Sequence, residues 1–241
     1  MLKEIGSVFS FLTIIPTNNA SLEGTAKYMH IFPLVGIVIG LLIGSIGFGL
    51  SLFLDPMIVS LLVVASIAVI TGIHHTDGLA DFADGLMTKG SRSKKLKAMK
   101  DLSTGSAGVV TIVLYAVGAI IALSLTSGFE LFKAILLSEI LAKFSMVLMA
   151  SVGNSAAVGS NSPFMQIMKD KRRIAVAGAI TLAPLVFLGG EVGLILFASS
   201  IVTTIFLVGI STRSFGGVTG DVLGATNELT RLASLLIFVS I

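Results

Sequence analysis

The chain has 241 residues, of which 54% are hydrophobic and only 12% charged, with a formal net charge of +3 and a mean hydropathy of +1.02. A water-soluble domain of this length needs far more polar surface to cover its core, so the composition excludes one and predicts an all-α, polytopic membrane protein. Cysteine is absent, which removes disulfide frameworks and thiolate chemistry.

In chain order, Leu2–Ile15 reads as an amphipathic interfacial helix ended by Pro16. Without an early basic patch, an h-region and a small-residue cleavage site, no removable signal peptide is expected. Six apolar runs then approach bilayer length: Ile31–Leu54, Met57–Ile73, Ala107–Thr126, Leu131–Ser151, Ile174–Leu188 and Val192–Ile210. A shorter apolar tail, Leu229–Ile241, is too short to cross unaided. Every polar stretch is brief, so one membrane-embedded domain over 1–241 is expected.

The basic residues set the orientation. Lys89, Arg92, Lys94, Lys95, Lys97 and Lys100 lie between the second and third runs, and Lys169, Lys171, Arg172 and Arg173 between the fourth and fifth. The intervening turns carry Asp55, Glu130 and Glu191. By the positive-inside rule the N-terminus and the polar loops 74–106, 152–173 and 211–228 are expected in the cytoplasm, with the chain in the cell membrane.

Chemistry concentrates in the first of those loops, TGIHHTDGLADFADGLMTKGSRSKK, residues 71 to 95. Asp77, Asp81 and Asp84 are spaced i, i+4, i+7 and fall on one face of a helix. Unneutralised, they repel one another, and near a bilayer the cost rises unless a cation sits among them. Mg2+ suits this pattern, being held by one or two carboxylates plus substrate phosphates. The plainer reading is a solvated helix whose acids are answered by the following lysines. Against it, the aspartates alternate with apolar and small residues, and the basic block follows them without interleaving. His75 is the candidate general base or hydrogen-bond donor to a phosphate, and His74 a structural residue. Zinc is not expected, with no cysteine and three histidines.

Two further stretches are glycine-rich. In KDLSTGSAG, Lys100 and Asp101 precede Gly105 and Gly108, whose amides could cradle a phosphate at a helix N-terminus; a plain helix cap is the more economical reading. In STRSFGGVTGDVLGATNEL, Gly216, Gly217, Thr219, Gly220 and Gly224 surround Asp221, with Arg213 before and Glu228 after. That loop matches neither Walker A nor the dinucleotide fingerprint.

Together these residues resemble the cobalamin synthase family. Its first hallmark, TG-x-x-H-x-DGLAD-x-x-DG, is met by Thr71, Gly72, His75, Asp77, Gly78, Leu79, Ala80, Asp81, Asp84 and Gly85. Its second, GG-x-TGD-x-LGA, is met by Gly216, Gly217, Thr219, Gly220, Asp221, Leu223, Gly224 and Ala225. FSFLTIIP (Phe9–Pro16), FPLVG (Phe32–Gly36), Arg92 with Ser93, and Met99–Asp101 are similar as well, so the likeness runs almost end to end. Departures are Ile73 and Thr76, where the family commonly has glycine and leucine. Ser103 and Thr104 replace an arginine-rich stretch, and Lys143 stands where an arginine is expected; Lys143 could pair with Glu139 one turn away.

The resemblance implies the closing step of cobalamin nucleotide-loop assembly: α-ribazole, or its 5′-phosphate, displaces GMP from adenosylcobinamide-GDP. It implies Mg2+ on Asp77, Asp81 and Asp84, with His75 and Asp221 completing the catalytic set. It implies substrate contacts from Arg92, Lys100, Asp101, Gly105, Arg213, Gly216, Gly217, Thr219, Gly220 and Glu228. Besides its two substrates the expected partner is the lipid bilayer, and no nucleic acid. Two rivals stand beside this reading. A CDP-alcohol phosphotransferase is disfavoured because no arginine follows Asp84 and Gly85 in that family's register. A transporter would place more charge at span centres than Glu139 and Lys143, and paired broken helices.

Overall fold

The computed structural model describes residues 2–17, 21–156 and 162–241, and the described residues form helices without a named strand. In chain order the helices are α1 (Leu2–Leu12), α2 (Leu22–Lys27), α3 (Phe32–Leu50), α4 (Pro56–Ile70), α5 (His74–Met87) and α6 (Arg92–Met99). They continue with α7 (Ser106–Ser124), α8 (Gly128–Val152), α9 (Ser162–Met168), α10 (Lys171–Phe215) and α11 (Gly220–Phe238). A 3-10 turn, Met29–Ile31, leads into α3.

Four stretches are long and apolar enough to cross a membrane: Met29–Leu50, Ser106–Ser124, Gly128–Val152 and Lys171–Phe215. Helices α4 and α5 qualify as a fifth only when taken together, and they are bent by 92°. Within α10, Gly190 breaks the helix with φ 54° and ψ −127°, a conformation open to glycine alone. The halves, 171–189 and 191–215, are each about 28 Å or longer at 1.5 Å per residue, enough for a bilayer core. The two apolar runs expected there are therefore helical, with the turn at the Gly189–Gly190 pair.

Helix α8 is the axis of the fold. From Leu131 to Ala150 all but a few positions are buried, as in a helix surrounded by others. Helices α3, α10 and α11 pack on it. The approach of α3 is set by glycines at every fourth position. A Cβ on Gly36 would lie 2.7 Å from the Glu139 carbonyl oxygen, and one on Gly40 would lie 2.8 Å from the Leu136 Cα. A Cβ on Gly44 would lie 3.0 Å from the Phe132 ring. Lipid gives helices no hydrophobic reason to associate, so such close backbone contact is what holds this pair.

Two expectations need correction. Helix α1 ends at Leu12, before Pro16, because the Thr13 hydroxyl donates to the Phe9 carbonyl at 2.7 Å and accepts the Ile15 amide at 3.2 Å. The stretch 211–228 is not a loop: α10 runs to Phe215, four residues turn, and α11 begins at Gly220 and absorbs the apolar tail. Burial against α8 and α5 overrides the low helix propensity of its glycines. The expected loop 152–173 contains α9 and lies partly outside the described residues.

The polar turns gather at one end of the bundle. There, Val218 and Asn154 bond backbone to backbone at 2.8 Å, Gly105 meets Asp84, and Arg173 donates to the Lys27 carbonyl. At the other end the Gly128 amide reaches the Ser51 hydroxyl at 3.2 Å.

Candidate active site

Helix α5 carries the acids. It begins abruptly: Gly72 (φ 67°) and Ile73 (φ 65°) are both left-handed, and this pair turns the chain away from α4. We read α4 as the span and α5 as a helix that leaves its line, which places the acids beyond the apolar run. The buried side of α5 is made by His75, Gly78, Leu79, Phe82 and Gly85. Asp77, Asp81 and Asp84 fall on the opposite, wetter side, Asp77 fully exposed and the others half-buried.

Two glycines bring this helix against α11. A Cβ on Gly78 would stand 3.0 Å from the Asp221 carbonyl oxygen, and one on Gly224 would stand 3.2 Å from that of His75. Asp221, in the first turn of α11, thereby joins the α5 acids. The Asp81 carboxyl is pushed up to about 6, first by burial and then by the charges of Asp77, Asp221 and Asp84. Asp221 is also raised, mainly by burial, while the Lys100 charge pulls the other way. Among the described residues none of these four acids makes a salt bridge.

Asp84 is committed differently from its two neighbours. Its Oδ2 accepts the Gly105 amide at 2.7 Å and its Oδ1 the Gly108 amide at 2.9 Å. It thus caps α7, whose own N-cap residue, Gly105, has no side chain to offer. The Gly105 and Gly108 amides are consequently taken, and a phosphate cradle built on them is not what this loop forms. Asp101 turns its Oδ1 to the Ser103 amide at 3.0 Å. A surface cleft of about 440 Å3 opens over this loop, lined by Asp84, Thr88, Asp101, Ser103 and Thr104.

The second glycine-rich stretch is shaped by pairing. Val218 and Ala156 bond across to form a short parallel bridge, and a Cβ on Gly217 would meet the Asn154 carbonyl at 2.5 Å. Gly216, at φ 85°, ends α10 and lies beside the Arg92 guanidinium. Thr219 caps α11 by accepting the Val222 amide at 3.2 Å. Arg92, Lys100 and Arg213 are exposed and make no hydrogen bond or salt bridge among the described residues.

Glu228 is placed elsewhere than a surface contact requires. It is 1% exposed and belongs to a buried network with Tyr115 of α7, Glu139 and Lys143 of α8, and Asn227 and Arg231 of α11. Arg231 donates to Glu139 at 2.6 Å, to Tyr115 at 2.8 Å, and to Glu228. Lys143 donates to Asn227 at 2.7 Å, and Asn227 to Glu228 at 2.9 Å. Lys143 also stands 3.7 Å from Glu139, the partner one turn away. The sequence reading left out Tyr115, Asn227 and Arg231, although Arg231, set amid apolar residues, was the visible signal.

On the other side of α5 lies a cavity of about 410 Å3 between α1, α2, α5, α8, α9 and α11. His74, His75, Gly220, Asp221 and Gly224 form its polar wall. His75 is 5% exposed, and its Nδ1 has no hydrogen-bond partner among the described residues.

A divalent cation fits this arrangement by the chemistry of its donors. No group of three or more Asp, Glu or His among the described residues stands ready to hold a metal by itself. Mg2+ asks for less, namely one or two carboxylates plus phosphate oxygens from a substrate. Asp77 and Asp81, with Asp221 opposite, supply neighbouring carboxylates that make no salt bridge among the described residues.

Comparison with known proteins is consistent over the whole length. The family described as Cobalamin-5-phosphate synthase matches residues 4–239. The adenosylcobinamide-GDP ribazoletransferase of Methanocella arvoryzae is 34% identical, over 98% of this chain and 94% of that one. The proteins of the same name from Archaeoglobus fulgidus and Pyrococcus abyssi are 34% and 33% identical, over 98% and 96% of this chain. They are covered over 96% and 95% of their own lengths. No solved structure matches the chain.

Proposed function

The chain belongs to the cobalamin-5-phosphate synthase family, and from that premise we infer that it is an adenosylcobinamide-GDP ribazoletransferase, the enzyme of the final step of cobalamin synthesis. A ribose hydroxyl of α-ribazole, one that the 5′-phosphate form also keeps free, attacks the cobinamide-linked phosphorus of adenosylcobinamide-GDP. A new P–O bond forms, the bond to the GMP oxygen breaks, and the attacking hydroxyl gives up its proton. GMP leaves, and adenosylcobalamin, or its 5′-phosphate, remains as a phosphodiester.

Phosphoryl transfer asks chiefly for positioning and charge neutralisation. Asp77 and Asp81, with Asp221, would hold Mg2+; Asp84, occupied by the α7 amides, shapes the adjoining loop instead. When bound, the ion supplies positive charge to the diphosphate. Arg92, Lys100 and Arg213, exposed and without a hydrogen bond or salt bridge among the described residues, would meet phosphate oxygens. His75, with an unpartnered ring nitrogen, holds or accepts the attacking hydroxyl's proton.

The observation that carries this reading is the meeting of α5 and α11 at Gly78, which sets Asp221 near enough for its charge, with that of Asp77, to raise Asp81. The basic side chains at that end support a cytoplasmic site in a cell membrane. The test uses purified protein in detergent with adenosylcobinamide-GDP, α-ribazole and Mg2+, following GMP. Turnover should require Mg2+, and Asp81→Asn should abolish it while the protein stays folded. Full turnover in EDTA, or in that variant, would remove the metal assignment.

A further inference from the structure

The cavity beside His75 differs chemically from the acid-lined face. Its remaining walls are Ser10 and Phe11 of α1, Leu22 of α2, Met146 of α8, Phe164 of α9 and Leu223 of α11, apolar but for the one serine. The rings of Phe11 and Phe164 lie 5.5 Å apart at 34°, the spacing of an aromatic pair that can take a further flat group alongside. Among the described residues no lysine or arginine lines it. At about 410 Å3 it is within the range of about 300–1,000 Å3 typical of small-molecule sites.

The two substrates divide on these grounds. The donor carries a diphosphate and a guanine rich in hydrogen-bonding edges, and it calls for the cationic groups Arg92, Lys100 and Arg213, which lie outside this cavity. Its corrin ring is far larger than the space. The acceptor nucleoside is uncharged, with a flat apolar base at one end and ribose hydroxyls at the other. An apolar, aromatic chamber with polar groups on one wall matches that division.

His75 adds an independent observation. A buried ring nitrogen without a partner costs free energy, and such groups in folded proteins are nearly always satisfied. Nδ1 of His75 lacks a partner among the described residues, and the residue lines the same wall as Asp221.

We propose that this cavity is the acceptor subsite: Phe11, Met146 and Phe164 enclose the base of α-ribazole, and His75, on the wall it shares with Asp221, meets its ribose hydroxyls. The proposal rests on the ribazoletransferase reading and assigns one of its substrates to a place. It puts the attacking oxygen on the α11 side of the acids and leaves the exposed cationic side for the donor.

The chain contains no tryptophan, so Phe164→Trp introduces a single fluorophore into the wall. Its emission should change saturably with α-ribazole and remain unchanged with GDP. In steady state, Phe164→Ala should raise KM for α-ribazole by about tenfold or more, the equivalent of about 1.4 kcal/mol, and leave KM for adenosylcobinamide-GDP within about twofold. Phe11→Leu, at a residue partly open to its surroundings, should shift the same KM if Phe164→Ala fails to fold. Silent emission with unmoved α-ribazole KM, while GMP is still released, overturns the subsite and spares the reaction. Saturable α-ribazole binding without any GMP release does the reverse. A rise in the donor KM alone would hand the cavity to the donor and overturn the proposal.

Discussion

Arg231 donates from Nε to Oε1 of Glu139 at 2.6 Å, with neither side chain more than 1% exposed. This contact joins α11 to α8 and sits among Lys143, Glu228, Asn227 and Tyr115. Two formal positive charges face two formal negative ones, so the group is neutral as a whole. Removing a single member is therefore worse than removing a pair, because it leaves its partner charged in a dry interior. Arg231→Met should destabilise by about 3–5 kcal/mol, whereas Arg231→Met with Glu139→Leu should recover part of that loss. Thermal unfolding in one detergent, across the four proteins of the cycle, gives the coupling.

The Asp84 carboxylate supplies a second interaction that can be isolated. It accepts two amides at the start of α7, and a Cβ on Gly108 would approach its Oδ2 to 2.6 Å. Asp84→Ala should cost about 1–2 kcal/mol, as loss of an N-cap does, and loosen residues 100–108. Asp84→Asn keeps one acceptor and should cost less. Backbone hydrogen exchange at Gly105 and Gly108 reads the change directly. If Asp84 instead held the metal, Asp84→Asn would raise the Mg2+ requirement of turnover without altering that exchange.

The sequence made some of this legible and left the rest hidden for physical reasons. The apolar runs disclose the spans because lipid demands continuous hydrocarbon, and the i, i+4, i+7 aspartates disclose one face of α5 because helical period is fixed. Helix α11 was missed. Gly216, Gly217, Gly220 and Gly224 read as turn residues, yet two of them end one helix and begin the approach to the next. Gly224 serves close packing on His75, a reason invisible without the partner helix. Thr219 before Gly220 and Asp221 was a readable N-cap. Gly36, Gly40 and Gly44 also carried a readable packing pattern. The 92° bend after Ile70 and the cap from Asp84 depend on tertiary contact, and no local pattern announces either.

Ile73 marks where the chain departs from the glycine that resemblance to the family led us to expect. It is the single non-glycine residue with positive φ among the described residues, at 65°, and it is 58% exposed. A β-branched residue in that region costs about 1–2 kcal/mol, while glycine loses about 0.5–1 kcal/mol of backbone entropy on folding. Ile73→Gly should therefore stabilise by up to about 1 kcal/mol, and raise the melting temperature by roughly 2–4 °C. A lower melting temperature would mean that the exposed side chain contributes packing, against lipid or protein, that outweighs the strain.

Gly78 tests whether the contact of α5 with α11 serves chemistry more than stability. A methyl group at this position would stand 3.0 Å from the Asp221 carbonyl oxygen and 3.1 Å from its Cα, and neither backbone atom can swing aside as a side chain end does. The helices would have to part by a few tenths of an ångström or more, carrying Asp77 and Asp81 away from Asp221. Small displacements of this kind tell most on reactions that depend on positioning, where a shift of about 1 Å can cost on the order of 100-fold in rate. Gly78→Ala should lower turnover by about 10- to 100-fold and weaken the response to Mg2+. Its cost in stability should be smaller, about 1–3 kcal/mol, as for other overpacked contacts. Measuring GMP release against Mg2+ concentration, beside a melting curve on the same preparation, separates the two effects. Unchanged turnover in a well-folded Gly78→Ala protein would show that the acids of the two helices need not be held at this spacing, and the metal assignment to Asp77, Asp81 and Asp221 would fail with it.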